Sequence, residues 1–249
     1  MSTFEASKPM VRSDARELRL DPQRVIGTIV LLSWSALFWF LMIGDRTSLY
    51  LSSRTEWIVP VGALITTVAG IGRLLTLRSR NRRPVTSRDA FAMSVLIVPI
   101  VVVLALPTAT LGSFAASRRS TLSGGYVTSV EDIVSGELSL TDVGGALRSS
   151  EAMRALADRA GSSVEFVGFV NRDGGTPADE FTLTRFLISC CVADALSVEV
   201  RVIGAPPGQF KKDDWVRVEG LLYPLNNEVV VDASEVVGVP RPKEPYLNP

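Results

Sequence analysis

Histidine is absent from this chain of 249 residues. Its absence removes the commonest general base of enzymes and the commonest protein ligand of transition metals. A Ser–His nucleophile cannot be built, and the sequence has no glycine-rich loop of the kind that holds the phosphates of ATP. The sequence therefore predicts a protein that is not an enzyme.

Net charge is also absent, because 26 basic side chains balance 26 acidic ones. The two signs are segregated along the chain: residues 1–116 hold 13 basic against 7 acidic residues, and residues 117–249 hold 13 against 19. Nucleic-acid binding needs clustered Lys and Arg that neutralise phosphates. The pattern predicts a basic membrane region joined to an acidic exported domain, and no nucleic-acid partner.

Cysteine is scarce, and the two that occur are adjacent, Cys190 and Cys191. A trans peptide holds neighbouring Cα atoms about 3.8 Å apart, whereas disulfides usually join Cα atoms about 4.4–6.8 Å apart. An ordinary disulfide between the two is therefore disfavoured. Three interpretations stay open: two buried structural thiols, a soft metal or redox site, or a strained vicinal disulfide that acts as a switch.

Long apolar runs occur three times in the first half, over residues 25–44, 57–77 and 90–110. Each is close to the roughly 20 residues that cross a bilayer as a helix. Arg73 interrupts the second run near its end, where a long side chain can reach the interface. A signal peptide is the other interpretation of the first run, but that run exceeds a typical signal-peptide apolar region.

Arginine is unevenly distributed between the loops that join these runs. The loop after the first run has two arginines and the loop after the second has five, which are Arg78, Arg80, Arg82, Arg83 and Arg88. Because cytoplasmic loops carry the excess of positive charge, we expect a cytoplasmic N-terminus, three crossings and a C-terminal domain outside the cell membrane. The alternative has two crossings, without insertion of the second run, and places that domain inside.

Composition divides the chain into four parts: a cytoplasmic tail (1–24), a membrane region (25–116), a Ser/Gly-rich tether with little structure (117–148) and an exported domain (149–249). The exported domain begins with a short helix predicted over Glu151–Ala160. Ser149 or Ser150 supplies its N-cap, and Gly161 ends it.

Five alternating segments follow that helix and predict an all-β domain. We expect strands at Val164–Val170, Phe181–Cys191, Leu196–Ile203, Trp215–Tyr223 and Val229–Val237. Five short strands with this spacing favour an OB-like Greek-key barrel, with an open sandwich as the alternative. The prolines of the tail are expected to trail on the surface, because proline cannot continue a strand ladder. They are Pro240, Pro242, Pro245 and Pro249.

The most distinctive string of the chain is Arg185-Phe186-x-Ile188-x-Cys190-Cys191-x-Ala193-Asp194-Ala195. With Gly168 before it and Trp215-Val216-x-Val218-x-Gly220 after it, the string resembles the YcgQ-like family of bacterial membrane proteins. The resemblance spans nearly the whole chain, including Tyr50 and Arg54 between the first two apolar runs. The chain differs from many members in its longer, more polar N-terminus and in its Ser/Gly-rich tether.

The resemblance implies the smaller subunit of a two-component membrane permease, which acts with a larger multi-pass subunit in the cell membrane. The function expected from it is that of a non-enzymatic accessory subunit. A free-standing, membrane-anchored module that binds a ligand or senses redox state or metal outside the cytoplasm is the alternative. In either case the lipid bilayer is a partner of the apolar runs.

Cys190, Cys191 and Asp194 are the candidate site, because two thiolates and a carboxylate could hold Zn²⁺ or Cu⁺. Adjacent cysteines are less suited to one metal than spaced ones, and a core role for both is the competing interpretation. Arg185 either packs its stem and reaches solvent or pairs with Asp194. Phe186 and Trp215 complete the string and are expected to be core residues.

Overall fold

The computed structural model describes residues 19–79, 85–105, 111–118, 129–225 and 228–248. These residues form two compact units. The membrane unit comprises the described parts of 1–39 and 62–105, and the barrel unit comprises 40–61 and the described parts of 106–249. The loop between the first two long helices therefore belongs to the same unit as the C-terminal domain.

Three helices are long and apolar enough to cross a membrane, as the sequence predicts: α1 (Pro22–Ile43), α2 (Ile58–Leu75) and α3 (Ser87–Ala105). Helix α3 begins before the predicted apolar run because Thr86 and Asp89 cap it. The Asp89 backbone N–H donates to the Thr86 hydroxyl over 3.3 Å, and the Thr86 N–H donates to the Asp89 carboxylate over 3.1 Å. The predicted end of the third run, at residues 106–110, lies outside the described residues.

Polar side chains join the helices of the membrane unit. The hydroxyls of Ser35 in α1 and Thr67 in α2 lie 2.6 Å apart, and the Trp39 indole donates to Thr67 over 3.2 Å. The Trp34 indole donates to the Leu96 carbonyl of α3 over 3.1 Å. Interhelical hydrogen bonds of this kind hold helices together where lipid offers no hydrophobic driving force. A short antiparallel pair, β1 (Arg19–Leu20) and β2 (Arg78–Ser79), completes this unit.

A closed five-stranded barrel forms the centre of the barrel unit. Its strands are β3 (Ser163–Asn171), β4 (Phe181–Leu187), β5 (Leu196–Ile203), β6 (Trp215–Leu225) and β7 (Glu228–Gly238). The order around the barrel is β3-β4-β5-β7-β6, with β5 and β7 parallel and the other pairs antiparallel. Closure and this order confirm the predicted OB-like barrel over the open sandwich.

The second half of the expected tether, residues 129–148, differs from the prediction. It forms helices α5 (Val130–Ser135) and α6 (Leu140–Ala146), each capped by a serine side chain. Ile133, Leu140 and Val143 are buried in the same core as the barrel interior. Helices this short gain most of their stability from packing an apolar face, which is why composition alone does not reveal them. Residues 119–128 lie outside the described part of the chain.

Helix α7 (Ser150–Ala157) precedes the first barrel strand, close to its predicted position, and Ser149 is its N-cap. Gly161 follows with a φ of +81°, a conformation that glycine adopts without strain. A further short helix, α4 (Ser113–Ala116), lies between α3 and the barrel strands in the chain. The four short helices α4 to α7 thus all precede the first barrel strand in the chain.

Candidate functional site

The loop between β4 and β5, residues 188–195, carries both cysteines. Strand β4 ends at Leu187, four residues before the predicted end at Cys191, because Asp194 turns the chain. Its carboxylate accepts the backbone N–H of Ser189 over 3.1 Å and that of Cys190 over 2.8 Å. Burial would raise the pKa of Asp194, but these hydrogen bonds outweigh it, and the pKa lies below its ordinary value.

The two cysteines are free thiols with their Sγ atoms 3.7 Å apart. Cys190 is exposed and Cys191 is half-buried, so neither is the buried core residue of the competing interpretation. Hydrogen bonding to the Asp194 carboxylate, then to Cys191, raises the pKa of Cys190 to about 11. A thiol with such a pKa is protonated at neutral pH, and protonated thiols are poor nucleophiles and poor metal ligands.

The metal site predicted at Cys190, Cys191 and Asp194 stays a prediction. Within the described ranges, no group of three or more Cys, Asp and Glu side chains is arranged to hold a metal ion. Asp194 is already occupied by backbone N–H groups of its own loop. A metal bound here would have to displace those hydrogen bonds as well as the thiol protons.

The backbone of the two cysteines is bound by the loop that joins α1 and α2. The Cys190 carbonyl accepts the Thr55 hydroxyl over 2.6 Å and the Ser52 N–H over 3.2 Å. Leu51 and Cys191 form an antiparallel bridge, next to which the Val192 N–H donates to the Tyr50 carbonyl over 2.9 Å. We call this contact between residues 48–56 and 188–195 the loop–barrel joint. Apart from the family resemblance, which includes Tyr50 and Arg54 of this loop, nothing in the sequence predicts the loop–barrel joint.

The C-terminal tail completes the loop–barrel joint. The Asn248 side-chain oxygen accepts the Ser52 hydroxyl over 2.7 Å and the Ser53 N–H over 3.2 Å. Leu247 forms a parallel bridge with Leu187 at the end of β4. Ser52 is fully buried by these contacts. The expectation that the tail trails on the surface is therefore wrong over residues 245–248.

Arg185 fixes the tail and does not pair with Asp194. Its guanidinium donates to the carbonyls of Glu244 (2.7 Å), Pro245 (3.2 Å) and Val167 (3.4 Å), and it lies 6.0 Å from the centre of the Trp215 ring. Burial lowers the pKa of Arg185, and the nearby Glu244 carboxylate opposes that effect. Of the two interpretations of Arg185 that the sequence leaves open, the ion pair with Asp194 is not formed, because the guanidinium donates to the carbonyls of the tail and of Val167 instead.

Phe186 and Trp215 lie in a small second core on the barrel, as their expected role requires. Phe186 is buried against Phe169, with ring centres 5.8 Å apart, and the Trp215 ring meets Phe169 edge-on at 5.9 Å. Two segments cover this core. Leu111, Ala115 and Ala116 come from the segment after α3, and Tyr246 comes from the tail. The segment after α3 is thus packed onto the barrel and is not a free linker there.

Two hydrogen bonds hold that segment in place. The Ser113 N–H donates to the Asp213 carboxylate over 2.7 Å, and the Leu111 N–H donates to the Tyr246 hydroxyl over 3.3 Å. A Cβ at Gly112 would lie 2.7 Å from that Asp213 oxygen, so only glycine leaves room for this contact. Asp213 itself has a φ of +70°, which a short polar side chain tolerates in a turn.

An open groove runs beside Arg185 on the barrel. Glu137 and Glu165 stand exposed along it, and its apolar lining is formed by Leu138, Leu140 and Phe166. A concave surface with an apolar floor and a few charged groups is the usual form of a ligand site. Because the sequence predicts a tether with little structure over residues 117–148, it gives no indication of this groove.

Residues 146–249 match the family model of the DUF1980 C-terminal domain. No curated protein matches the chain. The matched segment begins within α6 and contains α7, the whole barrel, both cysteines and the tail. The C-terminal part of the chain is thus similar to the DUF1980 C-terminal domain, which fits the resemblance to the YcgQ-like family.

Proposed function

We propose that this chain is a non-enzymatic accessory subunit of a two-component membrane permease, bound to a larger multi-pass subunit. The loop–barrel joint is the observation that carries the proposal. A domain held against a loop of the membrane region can transmit a change in one to the other, whereas a domain on a free linker cannot. An accessory subunit that influences transport needs such a connection.

The same joint supports three crossings with the barrel outside the cytoplasm. The loop after α1 and the barrel must lie on one side of the membrane to touch, and α2 and α3 separate them in the chain. Two crossings by α2 and α3 return the chain to the side of the loop, whereas the two-crossing alternative leaves the loop and the barrel on opposite sides. The arginine-rich loop after α2 then faces the cytoplasm.

A role without catalysis agrees with the chemistry of the loop. The raised pKa of Cys190 keeps its thiol protonated, and Asp194 is engaged by two backbone N–H groups. In this proposal the Cys-Cys-x-x-Asp segment builds the turn that the loop after α1 binds. The metal or soft-ligand role predicted for this segment would then be secondary to its structural role in forming the turn.

Co-purification tests the proposal. The full chain, tagged and expressed from its own promoter, is extracted in a mild detergent and its partners are identified by mass spectrometry. We expect one multi-pass protein at equal stoichiometry, retained through size-exclusion chromatography. A matched sample in which the tag is carried by an unrelated three-helix membrane protein controls for carry-over. A chain that elutes alone at its own mass would contradict the accessory role.

The groove beside Arg185 favours a second candidate, a membrane-anchored module that binds a ligand outside the cytoplasm. The groove's exposed Glu137 and Glu165 would select a cationic group, because their carboxylates are negatively charged and attract positive charge. This function requires no partner subunit. Elution of the chain alone, together with a thermal midpoint that rises with a polyamine such as spermidine in the parent but not in Glu137→Gln/Glu165→Gln, would support this candidate instead.

A further inference from the structure

One end of the membrane unit brings two arginines together, where α1 begins and α2 ends. Asp21 precedes α1, and its backbone N–H donates to the Leu77 carbonyl just beyond α2 over 3.1 Å. Next to this contact, β1 pairs with β2. The start of α1 and the end of α2 are thereby fixed to each other, and so are the arginines they carry, Arg24 and Arg73.

Arg24 is held in place by two contacts across this end. Its Nη1 donates to the Thr76 carbonyl over 2.8 Å, which occupies an acceptor left free at the end of α2. Its Nε lies 3.6 Å from the carboxylate of Asp21, which is almost fully buried. The Arg24 side chain still has 40% of its surface exposed. The guanidinium is therefore oriented, and no other described residue accepts its remaining donors, which can meet a ligand.

Arg73 reaches across to α1 and lies over Gly27. A Cβ at Gly27 would come within 3.4 Å of the Arg73 Cζ and Nη1 atoms, so the guanidinium rests on a surface that glycine leaves flat. Arg73 is exposed. Among the residues whose contacts the structure describes, no carboxylate pairs with it. Gly27 and Arg24 are three positions apart on α1, so they lie on neighbouring turns of one face.

Two guanidinium groups thus lie at the edge of an apolar helix pair, and among the described residues only Arg24 is paired with a carboxylate, that of Asp21. The excess positive charge would be stabilised by an anion, and planar guanidinium groups match the paired oxygens of a phosphate or a carboxylate. Of these two, phosphate is the group that the headgroups of membrane phospholipids supply. The side chains next to Arg73 on α2 are apolar and exposed: Ile71, Leu74 and Leu75. A ligand with both a phosphate and acyl chains would match the two guanidinium groups with its phosphate and the exposed apolar side chains with its acyl chains.

We propose that Arg24, Arg73 and the surface over Gly27 form a binding site for the headgroup phosphate of an anionic phospholipid. The phosphate takes the free donors of the two guanidinium groups, and the acyl chains lie along the exposed apolar side chains of α2. The further arginines between α2 and α3 raise the local concentration of anionic lipid, since basic residues near a membrane surface attract anionic headgroups. The site is independent of the permease role.

Native mass spectrometry of the full chain tests the site. The detergent-purified protein is titrated with phosphatidylglycerol and, in parallel, with phosphatidylcholine of the same acyl chains. We expect phosphatidylglycerol to bind more tightly, and Arg73→Gln to weaken it roughly tenfold through the loss of charge-assisted hydrogen bonds. Arg46→Gln, which removes one charge beyond the other end of α1, is the matched control and should change little.

Two variants that keep the net charge separate a built site from diffuse attraction. Gly27→Leu displaces the Arg73 guanidinium, and Arg73→Lys replaces its planar fork by a single ammonium. Both should weaken phosphatidylglycerol by several-fold while the thermal midpoint of the protein stays within a few degrees of the parent. Equal affinity in the parent, Gly27→Leu and Arg73→Lys would overturn the proposal, as would an equal effect of Arg46→Gln. Competition by millimolar inorganic phosphate would also overturn it, since it would identify a site for free anions.

Discussion

At the scale of the residue, Asp194 determines the protonation chemistry of Cys190. Its carboxylate fixes the loop through two backbone N–H groups and raises the pKa of Cys190. The protonated thiol is the form that the fold favours. The resulting stabilisation is present below the ordinary thiol pKa and is lost as pH rises through about 11.

The first prediction concerns the reactivity of Cys190. In a Cys191→Ser background, alkylation by iodoacetamide at pH 8 should be slow and should accelerate as pH rises towards 11. Asp194→Asn removes the negative charge, lowers the thiol pKa and should raise the rate at pH 8 by on the order of tenfold, since more thiolate outweighs its lower nucleophilicity. Glu199→Gln, a carboxylate removed on β5, is the control. A rate at pH 8 that is unchanged by Asp194→Asn would contradict this assignment.

The second prediction concerns Gly220, which lies at a bulge where β6 shifts register against β7. A Cβ there would clash with the Asp232 carbonyl oxygen, and a backbone atom in a barrel strand cannot move aside cheaply. Gly220→Ala should destabilise the barrel by roughly 3 kcal/mol, at the upper end of overpacking costs. Gly175→Ala, with nothing within 4 Å, is the matched control.

Thermal unfolding of the full chain in detergent measures both glycine variants. Gly220→Ala should lower the midpoint by about 10 °C or more, because 1 kcal/mol corresponds to roughly 4–8 °C in a domain of this size. Gly175→Ala should leave it within about 2 °C. Similar midpoints for the two variants would show that β6 and β7 separate readily at the bulge.

Residue types and spacing predicted the Cys-Cys-x-x-Asp loop as the distinctive feature of the domain, but not its partners. Thr55 lies 135 residues before Cys190 in the chain, and no periodicity connects the two. Asp194 was interpreted as a metal ligand because a carboxylate beside thiols suggests one. Its use for the backbone N–H groups of its own loop depends on dihedral angles that the sequence does not display.

At the scale of the element, Arg185 links strand β4 to the tail. Replacement by Lys keeps the charge but offers one donor group in place of a fork that binds three carbonyls. The third prediction is that Arg185→Lys increases trypsin cleavage after Lys243 about tenfold, because losing one to two charged hydrogen bonds makes local opening easier. The rate is followed by mass spectrometry on the full chain.

Arg201→Lys provides the control for that experiment. Arg201 also lies on the barrel and binds Glu180 over 2.7 Å, but the pair is at the surface, where ion pairs contribute little. Cleavage after Lys243 should match the parent in this variant. If Arg185→Lys and Arg201→Lys were cleaved at the same rate, the tail would not depend on the Arg185 contacts.

The elements that the sequence analysis does not predict are those that are stable only when they pack against other elements. Strands β5 and β6 alternate strongly, and their positions were predicted closely because alternation is a local property. Helices α5 and α6 are shorter than any helix that is stable alone. A local signal was nevertheless present, since Ser139 and Asp142 form a capping box at the start of α6. This capping box marks the start of a helix within the predicted tether.

At the scale of the whole molecule, the fourth prediction concerns topology. In a Cys190→Ser/Cys191→Ser background, single cysteines are placed at exposed positions by Ser53→Cys, Lys212→Cys and Ser87→Cys. An impermeant maleimide applied to intact cells should label the first two, which share the barrel unit, and should label the third only after lysis. Labelling of Ser87→Cys but not of Lys212→Cys in intact cells would reverse the proposed orientation.

Apolar run length was sufficient to predict three membrane-length helices, because spanning a bilayer imposes a length that composition reveals directly. The barrel followed from strand count and turn spacing. The grouping of residues 40–61 with the C-terminal domain could not be predicted, since it depends on hydrogen bonds between backbone groups, which every residue possesses.

The hydrogen bond between Ser52 and Asn248 has a consequence for the time course of synthesis. The two residues are 196 positions apart, so at about 5–20 residues per second the ribosome makes the second roughly 10–40 seconds after the first. In the proposed orientation, the loop after α1 crosses the bilayer early in that interval, before the tail that binds it has been made. A newborn chain therefore passes through a period in which this loop is open to surface proteases, and arrival of the tail ends that exposure.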